Sequence, residues 1–452
     1  MRPFGKRDLF GYALGDFGCN MSFALITNFM MLYYTQFIGL KMTDWAWIII
    51  VGKVWDAIND PIIGSLVDNV RIGKNSKFKP WITIGSIALI FTTTLTFLPV
   101  QNMSYGFKVG FCLAAYCIWS VAFTTANVPY GALHSCITDD PSQRTNLSTF
   151  RSIGAGLAQA PVFLLPLIIY DKDNNLRGEK MVFIALICAV IGLVGFTLTN
   201  VLVTERIHIE KEKQKFNYVK TVKHFFTNRP MIAATIVSFV QIICFMSMTS
   251  VNTIVFQTYF KNAKLVSIGT IIAYVPLVAL LPFIGKITKS IGKKGITVIS
   301  ALIGTVAGVA ALFIPLNPEK ASSIPIYIVL LMLFYVSNSI FSLLIWAMVV
   351  DCIDFGYKKT GEREEGSMYA LYSFFRKLAQ GVGSAVSALA LSACGYVEAL
   401  GAAQTVETAL NIKNMYIWFM LGGSLLTAVV MKFIYNIDEG KKADLKIMNN
   451  EK

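Results

Sequence analysis

Residues 81–100 and 328–350 carry no charged side chain over 20 and 23 positions, the length a helix needs to cross a hydrocarbon core about 30 Å thick. Runs of this kind recur along the whole 452-residue chain. Hydrophobic residues make up 55% of it and charged residues 15%, with a mean hydropathy of +0.59. A water-facing surface needs more charge than that, so the solvent these runs imply is a bilayer. Backbone amides in lipid must be paired internally, which leaves helices or closed barrels. The runs are continuous and do not alternate, unlike barrel strands of about ten residues. The expected fold class is therefore an all-α integral membrane protein of twelve transmembrane helices, with no room for a large soluble domain.

The formal net charge of +14 raises the question of nucleic acid, and its distribution answers it. Of the 40 lysines and arginines, 27 fall in loops on the side of the N-terminus, nine on the other side, and four (Lys53, Arg151, Arg376 and Lys377) inside spans. Basic loops mark the cytoplasmic face, so the expectation is a multi-pass protein of the cell membrane with both termini cytoplasmic, in contact with lipid and not with nucleic acid. The basic N-terminus, MRPFGKRDLF, leads into an apolar region running to Leu40 without a cleavage site of small residues. It reads as the first span and not as a removed signal.

Enzymatic chemistry finds little support. The eight cysteines are scattered singly without CxxC spacing, only His134, His208 and His224 supply imidazole, and no phosphate loop or nucleophile elbow occurs. The chain reads as no enzyme, with no organic cofactor and no disulfide framework, acting as a monomer.

The longest charged stretch, TERIHIEKEKQKFNYVKTVKHFFTNRP, follows the sixth span. It divides the chain into an N-terminal six-helix bundle (1–204), a cytoplasmic linker (205–229) and a C-terminal six-helix bundle with a cytoplasmic tail (230–452). The loops GSLVDNVRIGKNSKFKPW and GKITKSIGKKGITV, after spans 2 and 8, both open on glycine and carry basic turns, a weak sign of repeated halves. Secondary transporters use paired halves around a midplane site, with alternating access by rocking.

Charge inside a span costs about 2.5–3.5 kcal/mol on insertion scales and asks for a partner or a function. Span 2 contains KVWDAINDP, where Lys53, Asp56 and Asp60 follow at spacings of three and four and so share a helix face. Two stacked carboxylates repel unless a cation, a proton or a base neutralises them. Asp56 and Asp60 are thus a candidate cation site, for sodium through oxygen ligands or for a proton. The alternative is a structural pair with Lys53. Pro61 removes a backbone donor beside the site. Asp16, in GYALGDFGCN, is either a helix-pairing or a functional acid. Arg376 and Lys377 are neighbours about 100° apart on span 11, so one at most faces a cavity squarely. The expectation favours Lys377, reaching toward the acids of span 2. Asp351, Asp354 and Arg363, after span 10, are either ordinary surface charges or an inner gate pairing with basic loops.

The segments GDFGCN, LYYTQFIGL, WDAINDPIIGSLVDN, KFKPW, NVPYGAL and DCIDFG, with the Lys377 helix, resemble the glycoside-pentoside-hexuronide:cation symporter family of the major facilitator superfamily, to which the melibiose carrier belongs. The resemblance covers nearly the whole chain and implies the major facilitator fold and cation-coupled uptake of a sugar or glycoside. It implies cation roles for Asp56 and Asp60, with Asn127 nearby, and substrate roles for Asn20, Asn127, Arg151 and Lys377. Tyr130 and Trp55 are candidates for stacking on a sugar face. Two departures matter, because the melibiose carrier has acids where Asn20 and Asn127 stand. Amides hydrogen-bond hydroxyls without adding charge. That shifts the balance toward Lys53, Arg151 and Lys377, which suits an anionic sugar such as a hexuronide. A different cargo on the same fold, such as a lysolipid, is the alternative.

Overall fold

A computed structural model of the chain describes residues 2–73, 76–207, 218–320, 322–360 and 365–437. The part of the expected linker at 208–217, Arg363 and the tail beyond residue 437 lie outside the described residues. Among the described residues six long helices form the first half: α1 (Lys6–Leu32), α2 (Met42–Asn69), α3 (Lys79–Leu95), α4 (Tyr105–Ile137), α5 (Pro141–Leu164) and α6 (Met181–Leu202). A short helix, α7 (Tyr218–Thr227), precedes α8 (Arg229–Thr258), α9 (Leu265–Phe313), α10 (Ser323–Thr360), α11 (Glu365–Ala393) and α12 (Val406–Phe433). Among the described residues there is no strand beyond an isolated bridge between Tyr170 and Leu176.

Helix α9 has 49 residues, about 74 Å as a straight rod and more than twice the hydrocarbon thickness. Gly292 breaks it at φ 76° and ψ 161°, a conformation glycine reaches without a Cβ penalty. The break leaves two legs, 265–291 and 293–313, each long enough to cross a membrane. Among the described residues, eight helices are long and apolar enough to cross a membrane by themselves. The other crossing segments are α3, with 17 residues, the charge-bearing α2 and α11, and the second leg of α9. Together they make twelve, the all-α architecture expected of a major facilitator.

The chain divides into two compact units, residues 1–213 with 397–402, and residues 214–396 with 403–452. In the first, α1 lies against both α5 and α6, and α4 against α2 and α3. Lipid offers no hydrophobic drive between helices, so close backbone approach through small residues supplies the packing. A Cβ on Gly18 would stand 2.6 Å from the Gly192 carbonyl oxygen, and one on Gly195 the same distance from that of Leu14. On α5, a Cβ on Gly154 would overlap the Ala13 carbonyl. Interhelical hydrogen bonds add to this: Trp119 Nε1 donates to Ser22 Oγ at 2.8 Å, and Ser22 shares a 2.8 Å bond with Thr93.

At the end of this unit that holds the N-terminus, the fully buried Asp8 carboxylate accepts from Arg2 at 3.0 Å, Arg206 at 2.9 Å and the Thr204 amide at 3.1 Å. The chain leaving α6 is thereby fixed to the start of α1. In the second unit, α8 packs with α11 and α12, and α9 with α10 and α12. Its α8 is capped by Asn228, whose Oδ1 accepts from the Met231 amide at 3.2 Å while Nδ2 donates to the Cys352 carbonyl at 2.7 Å.

Candidate functional site

Two polar clusters in the first unit gather most of the residues singled out above. The first lies where α2 faces α4. Lys53, Asp56 and Asp60 stand on one face of α2, and Tyr116, Ser120 and Thr124 repeat every four residues on α4. Lys53 Nζ lies 2.9 Å from Asp56 Oδ2. Tyr116 donates to the same oxygen at 3.1 Å, and Ser120 donates to Asp56 Oδ1. Thr124 Oγ1 donates to Asp60 Oδ1 at 2.8 Å. Gly52 makes this possible, because a side chain there would fill the space taken by the Tyr116 ring. Trp55 is turned to structural use, its Nε1 donating to the Cys117 carbonyl at 3.1 Å.

The second cluster joins α1, α4 and α5. Arg151 Nε bonds Asp16 Oδ1 at 3.1 Å, with side-chain exposures of 40% and 8%. Asn20 Nδ2 donates to the Asp16 carbonyl at 2.8 Å and to Asp16 Oδ2 at 3.2 Å. The Arg151 guanidinium stands 5.5 Å from the centroid of the Tyr130 ring. That ring stacks on Tyr12 at 4.7 Å, its hydroxyl donates to the Tyr12 carbonyl at 2.6 Å, and Gly15 provides the room. Asn127 accepts from Cys19 Sγ at 3.4 Å. It follows Thr124 by three residues on α4, so one helix carries parts of both clusters.

Tyr130 is fully buried, with its ring and hydroxyl engaged between helices. Lys53 and Arg151 each hold a carboxylate, at 2.9 and 3.1 Å. The partner of Asp16 sits on α5.

In the second unit, Asp351 Oδ2 lies 2.5 Å from Lys293 Nζ, just beyond the break at Gly292. Asp354 follows Asp351 by three residues on α10, and Arg363 is outside the described residues. Lys377 is exposed on α11, while its neighbour Arg376 lines a cavity with Gln241, Asn338 and Gln380. Sequence reasoning weighed Arg376 but favoured Lys377, and it missed the hydroxyls of α4. The hydroxyls left a legible signal, since Tyr116, Ser120 and Thr124 recur at i, i+4 and i+8, in step with the charges of α2.

A family model described as "MFS/sugar transport protein" matches residues 11–439. The chain belongs to this family. It is 32% identical over 444 residues to the "Uncharacterized symporter YjmB" of Bacillus subtilis (strain 168), covering 97% of this chain and 94% of the relative. Similarity to the isoprimeverose transporter of Lactiplantibacillus pentosus is 29%, over 97% of this chain and 90% of the relative. The glucuronide carrier protein homolog of Escherichia coli (strain K12) is 26% identical, over 99% and 96%. Among solved structures, the D-xylose-proton symporter superposes with a TM-score of 0.65 at 15% identity, over 95% of this chain and 97% of that one. That likeness is one of fold. The MFS/sugar transport family is a transporter family, and its multiple apolar helices make this chain a multi-pass membrane protein.

Proposed function

We propose that this protein is a secondary active carrier that takes a sugar or glycoside into the cytoplasm with a cation, by alternating access, and performs no chemistry on its cargo. The observation that carries this reading is the register of α2 against α4. Two carboxylates on one helix meet three hydroxyls on the other, with Thr124 on Asp60 at 2.8 Å and Tyr116 and Ser120 on Asp56. Carboxylate and hydroxyl oxygens are the ligands a hard cation such as sodium takes, and the same carboxylates accept a proton. Lys53, at 2.9 Å from Asp56, is the internal counter-ion with which an incoming cation competes. Enclosing bare carboxylates costs several kcal/mol per ion, so occupation of the site favours the closed intermediates through which the carrier changes face.

In this reading Asn20, Asn127 and Arg151 hold sugar hydroxyls in the first unit, and Lys377 is a substrate contact of the second. The names of the relatives, an isoprimeverose transporter and a glucuronide carrier protein homolog, support a carbohydrate cargo. Clusters of amides, hydroxyls and charge suit a polyol better than an acyl chain, which disfavours a lysolipid. The bias of 27 basic residues against nine supports cytoplasmic termini in the cell membrane. The test is uptake of labelled xylosides, glucosides and glucuronides into proteoliposomes under an imposed sodium or proton gradient. Accumulation above equilibrium is expected for the wild type and lost in Asp56→Asn and Asp60→Asn. Gradient-driven accumulation surviving both substitutions would falsify the cation-site assignment.

A further inference from the structure

Residues 397–402 join α11 to α12 in the chain, yet they pack as part of the first compact unit, while 396 and 403 on either side belong to the second. The segment holds a single 3₁₀ turn, Glu398–Leu400, seated against a π-helical turn, Tyr33–Phe37, that ends α1. Val397 and Leu400 are 45% and 44% exposed, so apolar burial contributes little to this seat.

What fastens the segment is the start of α2. The first amides of a helix have no partner within it, and Lys41, which precedes α2, gives no side-chain cap. The Met42 amide instead donates to Glu398 Oε1 at 2.6 Å. The carboxylate thereby also meets the positive end of the helix dipole. Beside it the Lys41 amide donates to the Tyr105 hydroxyl at 3.2 Å, and that hydroxyl donates to Asp44. One residue from the loop between α11 and α12 therefore caps a helix of the first unit.

The connections that flank the segment, 394–396 and 403–405, have three residues each, which span at most about 11 Å when fully extended. Neither has slack to give. Tyr396 is 4% exposed and its amide donates to the Leu391 carbonyl at 3.1 Å. On the other side Gln404 is 6% exposed, and Thr405 caps α12 by accepting from the Thr408 amide at 3.2 Å. A movement that carries the ends of α11 and α12 away from the first unit must therefore pull residues 397–402 off it. Gly395 and Gly401, at φ 81° and 49°, put backbone turns that glycine makes freely at both ends.

We propose that residues 397–402 are a releasable strap on the outer face of the carrier, and that Glu398 sets how readily the strap lets go and that face opens. The inference rests on the alternating-access reading above and adds to it a residue that governs opening.

The experiment places spin labels at Val397→Cys and Met103→Cys, two exposed positions of the first unit, in the full-length protein in nanodiscs. The half-exposed Cys117 and Cys394 are replaced by serine. Pulsed electron resonance then gives a short distance for the docked strap and a longer one for the released strap. Glu398→Ala should raise the ratio of released to docked by about five-fold, the typical worth of a capping side chain expressed as an equilibrium constant. Glu398→Gln, which keeps an acceptor without the charge, should raise it by less. A ratio that neither variant changes overturns the role of Glu398. Linking the two cysteines with a bismaleimide should arrest gradient-driven uptake of labelled xylosides, glucosides and glucuronides in proteoliposomes, and uptake that continues in the linked protein overturns the strap. A carrier that accumulates none of these sugars before linking overturns the transport reading itself, whatever the distances show.

Discussion

Thr124→Val keeps the shape of the side chain and removes one hydroxyl, and its effect separates the two candidate coupling ions by sign. Thr124 is 4% exposed and donates to Asp60 at 2.8 Å. A hydrogen bond to a charged group is worth about 1.5–3 kcal/mol, which is roughly a ten- to 150-fold change in an equilibrium constant. If the ion is a proton, the hydroxyl stabilises the ionised carboxylate that the proton must titrate. Its removal lets protons bind more readily, and the proton concentration for half-maximal uptake falls by about ten-fold at the low end of that range. If the ion is sodium, the hydroxyl turns its oxygen to the ion on binding. Its loss then weakens sodium, and the half-saturating sodium concentration rises by a similar factor. The assay is initial uptake at fixed sugar across a sodium series and a pH series, with Thr124→Ser expected to restore wild-type behaviour. Cation dependence within two-fold of wild type in both series would show that the Thr124 hydroxyl takes no part in the ion site.

Three further outcomes follow from the same geometry. Asp56→Asn should lower the yield of folded protein more than Asp60→Asn does, because it deprives Lys53 of the carboxylate at 2.9 Å; fluorescence-detected size exclusion measures it. Arg151→Gln should destabilise by no more than about 3–5 kcal/mol, the range for breaking a buried pair, and by less in practice because Arg151 is 40% exposed. The double variant with Asp16→Asn should recover part of the loss in a thermal melt in detergent, and strictly additive single losses would argue against the pair. Gly154→Ala should destabilise by about 1–3 kcal/mol through overpacking, since its Cβ would overlap the Ala13 carbonyl. Gly156→Ala on the same helix meets nothing within 4 Å and should be neutral or gain up to about 1 kcal/mol from helix propensity; equal melting temperatures for the two variants would refute the packing argument.

Much of the fold was legible because hydropathy is a property of one segment at a time. The two legs of α9 could be separated in advance, since GKITKSIGKKG interrupts an apolar run that would otherwise be too long for one crossing. The acids of α2 were legible for the same reason: KVWDAINDP violates the solvent rule locally. What stayed hidden were pairings between helices. Asp16 looks solitary along α1, and only the packing of α1 on α5, forced by Gly154, brings Arg151 to it. Tyr130 in NVPYGAL has the composition of a sugar platform, but Gly15 lets it sink against Tyr12 instead. Between Arg376 and Lys377 the sequence gives only an angle of about 100°, and which of them faces the cavity depends on where α8 and α10 stand.

Helix α4 is where the two polar clusters of the first unit meet. Its side chains at 116, 120 and 124 bond the acids of α2, and those at 127 and 130 engage Cys19, Tyr12 and Arg151. The helix is continuous over Tyr105–Ile137 despite Pro129, so the two sets of contacts belong to one rigid element spaced by about a turn. A cation drawn into the α2–α4 face must reorient Ser120 and Thr124 toward itself, because their hydroxyls now point at the carboxylates as donors. Any adjustment of α4 that accommodates this is felt at Asn127, one turn away. On the proposed reading, coupling between ion and sugar needs no long-range signal, only the stiffness of a single helix whose two adjoining turns serve different ligands.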